Sequence, residues 1–198
     1  MSAAPIRRIT PEEYLAFERQ AKRKCEFYNG EIFAMAGASR EHNLIVTNLP
    51  RELSQQLKGK PCEVYSSEMR TRIPNGPYVY PDVVAVCSEP QFEDKVLDTL
   101  MNPLVVIEVL SESTADFDRG TKFHHYRQIE SLREYIVVDQ AEPHVERFSR
   151  GPDGVWQLVD VTGLSAVLTV ESLGCSLPLA EIYLKVTFPP PQPIPVSI

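Results

Sequence analysis

The sequence lacks any apolar run approaching the roughly 18 residues of a membrane-spanning helix, and its first residues, Met-Ser-Ala-Ala-Pro-Ile-Arg-Arg, lack the apolar core of a secretory signal. Both absences argue for a cytoplasmic protein with no membrane partner. Cysteine is scarce: Cys25, Cys62, Cys87 and Cys175 form no Cys-x-x-Cys pair and have no histidines at metal spacing. That pattern indicates neither a zinc site nor a disulfide framework, and reads as four small buried hydrophobes. An excess of positive charge is missing too, with 20 Lys and Arg against 27 Asp and Glu for a net charge of -7. Coating nucleic acid without specificity needs a basic surface, so the balance argues against that role. It leaves room for a nuclease, whose metal-binding carboxylates add negative charge of their own. No internal repeat is present.

What is there fits one globular domain over 1–186, followed by a proline-rich tail over 187–198 that is too poor in core residues to order itself. Thr10-Pro11-Glu12-Glu13 predicts a capped helix running to about Lys22. Asn29-Gly30 between Cys25–Tyr28 and Glu31–Ala34 predicts a two-residue hairpin, with Cys25, Phe27, Ile32 and Ala34 on one face and Glu26, Tyr28, Glu31 and Phe33 on the other. Ile45, Leu49, Leu53 and Leu57 are spaced as a helical stripe within Ser39 to Leu57, and Pro50 predicts a kink or a split near Asn48. Strands are expected over Cys62 to Ile73, Tyr78 to Val86 and Leu104 to Leu110, with a polar loop over Ser88 to Pro103. A helix from Asp118 to Leu132 leads into the strand Tyr135–Val138, so the unit predicts a parallel pair. Two further strands, His144–Ser149 and Val155–Val161, and a short helix over Pro178–Leu184 complete the order.

One residue stands against its surroundings. Glu108 sits in Leu104-Val105-Val106-Ile107-Glu108-Val109-Leu110, a run otherwise made of buried-strand residues. An ionised carboxylate taken from water without partners costs several kcal/mol, so it calls for a metal, a cation or a cluster of donors. A second acid, Asp82, follows Pro81, and alternation puts it on a face with Tyr80, Val84 and Val86, while Glu108 shares one with Leu104, Val106 and Leu110. If the strands are neighbours, the two carboxylates meet. The bland alternatives are a residue at the start of a strand bonding nearby amides for Asp82, and a structural salt bridge for Glu108. Asp118, Lys122 and Tyr126 lie i, i+4, i+8 along one helix side, where the first two would ordinarily form a solvated ion pair. A lysine at the edge of the buried face can also reach back to an acidic pocket. Two strand acids and a lysine point to a metal-dependent phosphodiesterase.

The ordered set Glu26-Phe27-Tyr28-Asn29-Gly30-Glu31, His42, Pro81-Asp82, Glu108-Val109-Leu110-Ser111-Glu112-Ser113-Thr114, Asp118, Lys122, Tyr126 and Glu134-Tyr135-Ile136-Val137-Val138-Asp139 resembles the Uma2 restriction-endonuclease family of the PD-(D/E)XK superfamily, over about Ile9 to Tyr183. The resemblance implies an α/β (α+β) restriction-endonuclease-like fold, a central mixed β-sheet flanked by helices. It implies a metal-dependent endonuclease acting on DNA, with Asp82, Glu108 and the backbone carbonyl of Val109 holding Mg²⁺ or Mn²⁺. Mg²⁺ keeps several waters, one of which would be the nucleophile. The general superfamily pattern has a lysine two residues after the glutamate, where this chain has Leu110. Within the Uma2 pattern Lys122 takes that role, orienting the water and offsetting charge on the pentavalent phosphate. Glu26 is an accessory carboxylate or an exposed hairpin residue, and His42 a phosphate contact, a proton-transfer group or a packing residue. Tyr126 joins them as an accessory position. Ser111, Ser113 and Thr114 are expected to shape the turn and cap the next helix, and Glu134 and Tyr135 to serve the sheet core. A homodimer is expected from the same resemblance. The competing class is a catalytically degenerate nuclease-fold binding or dimerisation module, favoured by the acidic balance and by Leu110. A third reading is hydrolysis of RNA or a small phosphate ester.

Overall fold

The structure, a computed structural model, describes residues 8–111 and 114–190. Glu112, the expected turn residue Ser113, the first seven residues and the tail from 191 onward lie outside the described residues. Thr10 caps helix α1 (Pro11–Glu18) with the full reciprocal box to Glu13. The helix stops short of Lys22, its backbone tightening to i→i+3 bonds from Gln20 to Phe17 and from Ala21 to Glu18, while the Glu18 carboxylate reaches Arg70 and the Tyr80 hydroxyl. Strands β1 (Cys25–Tyr28) and β2 (Glu31–Ala34) form the expected hairpin, and Asn29 and Gly30 both take positive φ, 49° and 87°. Helix α2 (Arg40–Leu57) runs unbroken through Pro50. Of the two expected outcomes, one bent helix or two segments, the segment stays one helix, because Ile45, Leu49, Leu53 and Leu57 are buried along its whole length and hold the turns on either side of the lost hydrogen bond.

Two expected strands each divide between sheets. Cys62 to Ile73 becomes β3 (Glu63–Ser66) and β4 (Arg70–Arg72), and Tyr78 to Val86 becomes β5 (Tyr78–Val79) and β6 (Val83–Val86). Pro81 explains the second break, since it offers no N–H to a ladder. Next come β7 (Thr99–Leu100), formed inside the expected loop, and β8 (Val105–Leu110), all six of whose residues are buried. Helices α3 (Ala115–Phe117) and α4 (Phe123–Tyr126) are joined by a π-helical turn, Asp118–Lys122, so the helical segment starts and ends earlier than the sequence pattern implied. Strands β9 (Glu134–Asp139), β10 (His144–Arg150) and β11 (Trp156–Thr162) follow. The chain then adds a hairpin absent from the sequence reading, β12 (Val167–Val170) and β13 (Cys175–Pro178), and the short α5 (Leu179–Ile182).

A mixed six-stranded sheet has the order β11-β10-β9-β8-β6-β3, and its parallel pair is β8 with β9, as the strand–helix–strand unit implied. A second sheet, β2-β1-β5-β4-β7, carries the hairpin. Alternation along β8 divides the core. Val105, Ile107 and Val109 pack with α2, α5 and the β12–β13 hairpin, whereas Val106 and Leu110 pack with Tyr126, Ile129, Leu132 and residues of the second sheet. Glu108 belongs to the second face, between the two sheets. The cysteine expectation fails at one pair: Cys62 and Cys87 flank the Glu63↔Val86 pair, face each other and form a disulfide, while Cys25 and Cys175 are buried thiols. No helix among the described residues is long and apolar enough to cross a membrane.

Candidate active site

The β6–β8 ladder runs from Ala85↔Val105 to Val83↔Ile107, so its next step sets Asp82 opposite Glu108. No strand continues there, because Pro81 precedes. The Asp82 side chain completes the edge instead: Oδ2 accepts the Val109 N–H at 2.8 Å, and Oδ1 lies 3.0 Å from His42 Nε2 in the first turn of α2. His42 is itself held there, its backbone N–H donating to the N-cap Ser39 at 3.0 Å. The bland reading of Asp82, an acid bonding a nearby amide, is therefore part of the geometry, and it fixes one carboxylate beside the other.

Glu26 comes from the opposite sheet. Its Oε1 accepts the Tyr80 N–H at 3.1 Å. The three residues Tyr80-Pro81-Asp82 are thus pinned at one end to β1 and at the other to β8. On the helical side, Lys122 Nζ lies 3.2 Å from Glu108 Oε1, 3.2 Å from Asp118 Oδ1 and 3.9 Å from Glu26 Oε1. Tyr126 donates its hydroxyl to Glu108 Oε1 at 2.8 Å, and Tyr135 donates to the Asp118 carbonyl at 2.8 Å. The contact of Asp118 Oδ1 with the ammonium has ionic distance but not hydrogen-bond alignment, so this buried oxygen keeps an open acceptor site. A π-helical turn widens the backbone where Asp118 and Lys122 sit, a local irregularity frequent at functional sites.

The electrostatics follow from counting charges. Glu26, Asp82, Glu108 and Asp118 bring four carboxylates together around the single ammonium of Lys122 and the imidazole of His42. Burial raises the Glu108 carboxyl well above the ordinary range; Lys122 opposes that shift, and Asp118, Asp82 and Glu26 add to it. Burial alone would lower the Lys122 ammonium, but Glu108, Glu26, Asp118 and Tyr28 outweigh it and hold it above its usual value. The surrounding negative charge pushes both groups the same way, adding to burial at Glu108 and overcoming it at Lys122.

A divalent cation would relieve that surplus. Among the described residues no group of three or more His, Cys, Asp or Glu side chains is placed to hold a metal ion. A Mg²⁺ ion asks for less, since one or two carboxylates hold it and waters complete its shell. Two facing carboxylates, an open Asp118 oxygen and uncompensated negative charge are the donor set that such an ion fits.

Every candidate side chain named from the sequence converges here: Asp82, Glu108, Lys122, Glu26, His42 and Tyr126. Two residues were underread. Asp118, taken as a partner in a solvated pair, is buried in the cluster. Tyr28 shares the hairpin face of Glu26, and its hydroxyl is raised by burial and by Glu26, with Lys122 opposing and Glu108 adding. Its position two residues from Glu26 was the available signal. Thr114 sits at the N-cap of α3 without a side-chain capping bond and engages the Ser111 hydroxyl at 2.9 Å. Glu134 is buried as expected, but as a strap that accepts from Ser172 and the Glu171 N–H. A cleft of about 540 Å³ is lined by Glu18, Arg19, Lys24, Arg70, Tyr80 and Asp98 among others, and by none of Glu26, Asp82, Glu108, Asp118 or Lys122.

Residues 11–180 match the Uma2 family, described as "Putative restriction endonuclease". Two uncharacterized proteins of Synechocystis sp. align along most of their length. One, sll1609, is 40% identical over 167 residues, covering 84% of this chain and 94% of the relative. The other, slr1290, is 33% identical over 187 residues, covering 94% and 97%. Among solved structures, a putative nuclease of the family DUF820 from Anabaena variabilis superposes with a TM-score of 0.74 at 15% identity, covering 88% of this chain and 97% of that one. At that identity the likeness is one of fold.

Proposed function

The chain belongs to the Uma2 family, and on that premise we propose that it is an endonuclease that hydrolyses DNA phosphodiester bonds with Mg²⁺ or Mn²⁺ as cofactor. The observation that carries this reading is the cluster of three carboxylates, Glu26, Glu108 and Asp118, around the Lys122 ammonium, with a fourth, Asp82, held by His42 and the Val109 amide beside Glu108. Asp82 and Glu108 would hold the ion. The carbonyl of Val109 is suited to join them, because a strand residue projects its N–H and C=O to the same side and the Val109 N–H already meets Asp82. When bound, the cation supplies Lewis-acid polarisation of the phosphate and makes water more acidic.

The chain's own side chains do the rest. His42 and the Val109 amide fix the orientation of Asp82, and the Tyr126 hydroxyl fixes that of Glu108. Lys122, steadied by Asp118 and Glu26, presents positive charge where a pentavalent phosphate gathers negative charge. Incubation with plasmid and linear DNA in Mg²⁺ or Mn²⁺ tests the reading. Asp82→Ala and Glu108→Ala are each expected to lower cleavage by about 100-fold or more. Activity unchanged in both variants contradicts the assignment.

A second reading has its own observation. The Lys122 ammonium already sits among the acids, and edge strand β11 exposes Leu158 and Val159, a surface suited to pairing with a second copy. A protein that no longer cuts and serves as a dimerisation module would show salt-insensitive self-association and no heat of metal binding. The nuclease would show a metal-binding isotherm that Glu108→Gln removes. A homodimer formed through β11 is compatible with either outcome.

A further inference from the structure

The rim of the acidic cluster is aromatic. Tyr28 lies at its centre, with ring centroids 5.9 Å from Phe33, 5.6 Å from Phe117 and 6.0 Å from His125. The contacts with Phe33 and Phe117 are edge-to-face, at 75° and 72°, and both phenylalanines remain in water, 49% and 39% exposed. Rings of this size are normally covered when they serve the core.

Each ring is tied to a residue of the site. Phe33 is the cross-strand partner of Glu26, and Tyr28 follows Glu26 by two on the same face. Phe117 immediately precedes Asp118, and His125 immediately precedes Tyr126, the donor to Glu108. The hairpin, α3 and α4 each therefore set an aromatic side chain beside a residue of the cluster.

We propose that Phe33 and Phe117, braced by Tyr28 and His125, form a stacking platform for unpaired bases, and that the preferred ligand is single-stranded nucleic acid. The inference rests on the phosphodiesterase reading above, which brings a nucleic-acid backbone to the carboxylates. In a duplex the base faces are covered by their neighbours, so exposed rings beside the scissile position meet only sugars and phosphates. In a single strand the bases flanking the reacting phosphate turn outward, and a ring offers any of them a π-face without reading sequence.

Fluorescence anisotropy in Ca²⁺ tests the proposal with a labelled oligothymidylate and a duplex of equal length. The wild type is expected to bind the single strand more tightly. Phe33→Ala and Phe117→Ala are each expected to weaken that binding about tenfold, equivalent to about 1.4 kcal/mol, with duplex binding unchanged. Phe33→Trp is expected to restore affinity and to be quenched when the oligothymidylate binds. Matched thermal melting of the variants secures the comparison. Preference for the duplex, equal losses on both ligands, or no loss in either alanine variant overturns the platform. Cleavage that depends on Asp82 and Glu108 but ignores Phe33 and Phe117 overturns the platform and leaves the nuclease intact. Ring-dependent binding of single strands without cleavage supports the platform and removes the nuclease.

Discussion

Glu108 concentrates the energetics of the site in one side chain. Its carboxyl is held above the ordinary range, chiefly by burial, and a group whose folded-state pKa is raised stabilises the fold fully below its unfolded pKa. That contribution is lost as pH rises from about 4 towards the raised value. Glu108→Gln removes the titration. The melting temperature of the wild type relative to Glu108→Gln is therefore expected to fall as pH rises from 4 to neutrality. Scanning calorimetry across that range checks it, and a difference independent of pH would defeat the account. Added Mg²⁺ is expected to raise the melting temperature of the wild type but not of the variant. At this scale the sequence was informative where an acid interrupts an apolar run, as with Glu108, or follows a proline at a strand start, as with Asp82. It was uninformative for Asp118, whose i, i+4 spacing to Lys122 looks the same on a solvated helix as on a buried one.

The elements matter through what they hold in register. The β1–β2 hairpin supplies Glu26 to the cluster and Tyr28 and Phe33 to its rim, so its turn bears on function as well as stability. Gly30 has φ of +87°, and a Cβ there would stand 2.5 Å from the Arg8 Cβ. Gly30→Ala is expected to cost more than about 1 kcal/mol in urea unfolding. Gly37→Ala, where a Cβ would meet nothing within 4 Å, is the neutral control. Equal stability of the two variants would show that the turn does not constrain the hairpin. The hairpin was legible because Asn-Gly is a local signal. The partition of Tyr78 to Val86 between two sheets was not read, although Pro81 marked the place, because β-prone residues on both sides imitate one strand. The Cys62–Cys87 bond was hidden for a related reason: the two cysteines are 25 residues apart, and only the β3–β6 register sets them opposite.

At the scale of the molecule, the site exists because two sheets and one helical segment meet. The six-stranded sheet brings Asp82 and Glu108, the second sheet brings Glu26, and the π-helical turn with α4 brings Asp118, Lys122 and Tyr126. Sequence periodicity could assign each residue to a face but not join the faces, and the family pattern supplied that join in advance. The late β12–β13 hairpin, whose short strands resemble loop sequence, shows what periodicity misses when long-range packing decides the structure. The claim that this convergence makes a divalent-metal site is tested most directly by anomalous diffraction from crystals soaked in Mn²⁺. The account predicts a peak bounded by the carboxylates of Asp82 and Glu108. A saturating soak that gives no peak there, with Lys122 still 3.2 Å from both Glu108 and Asp118, would contradict it.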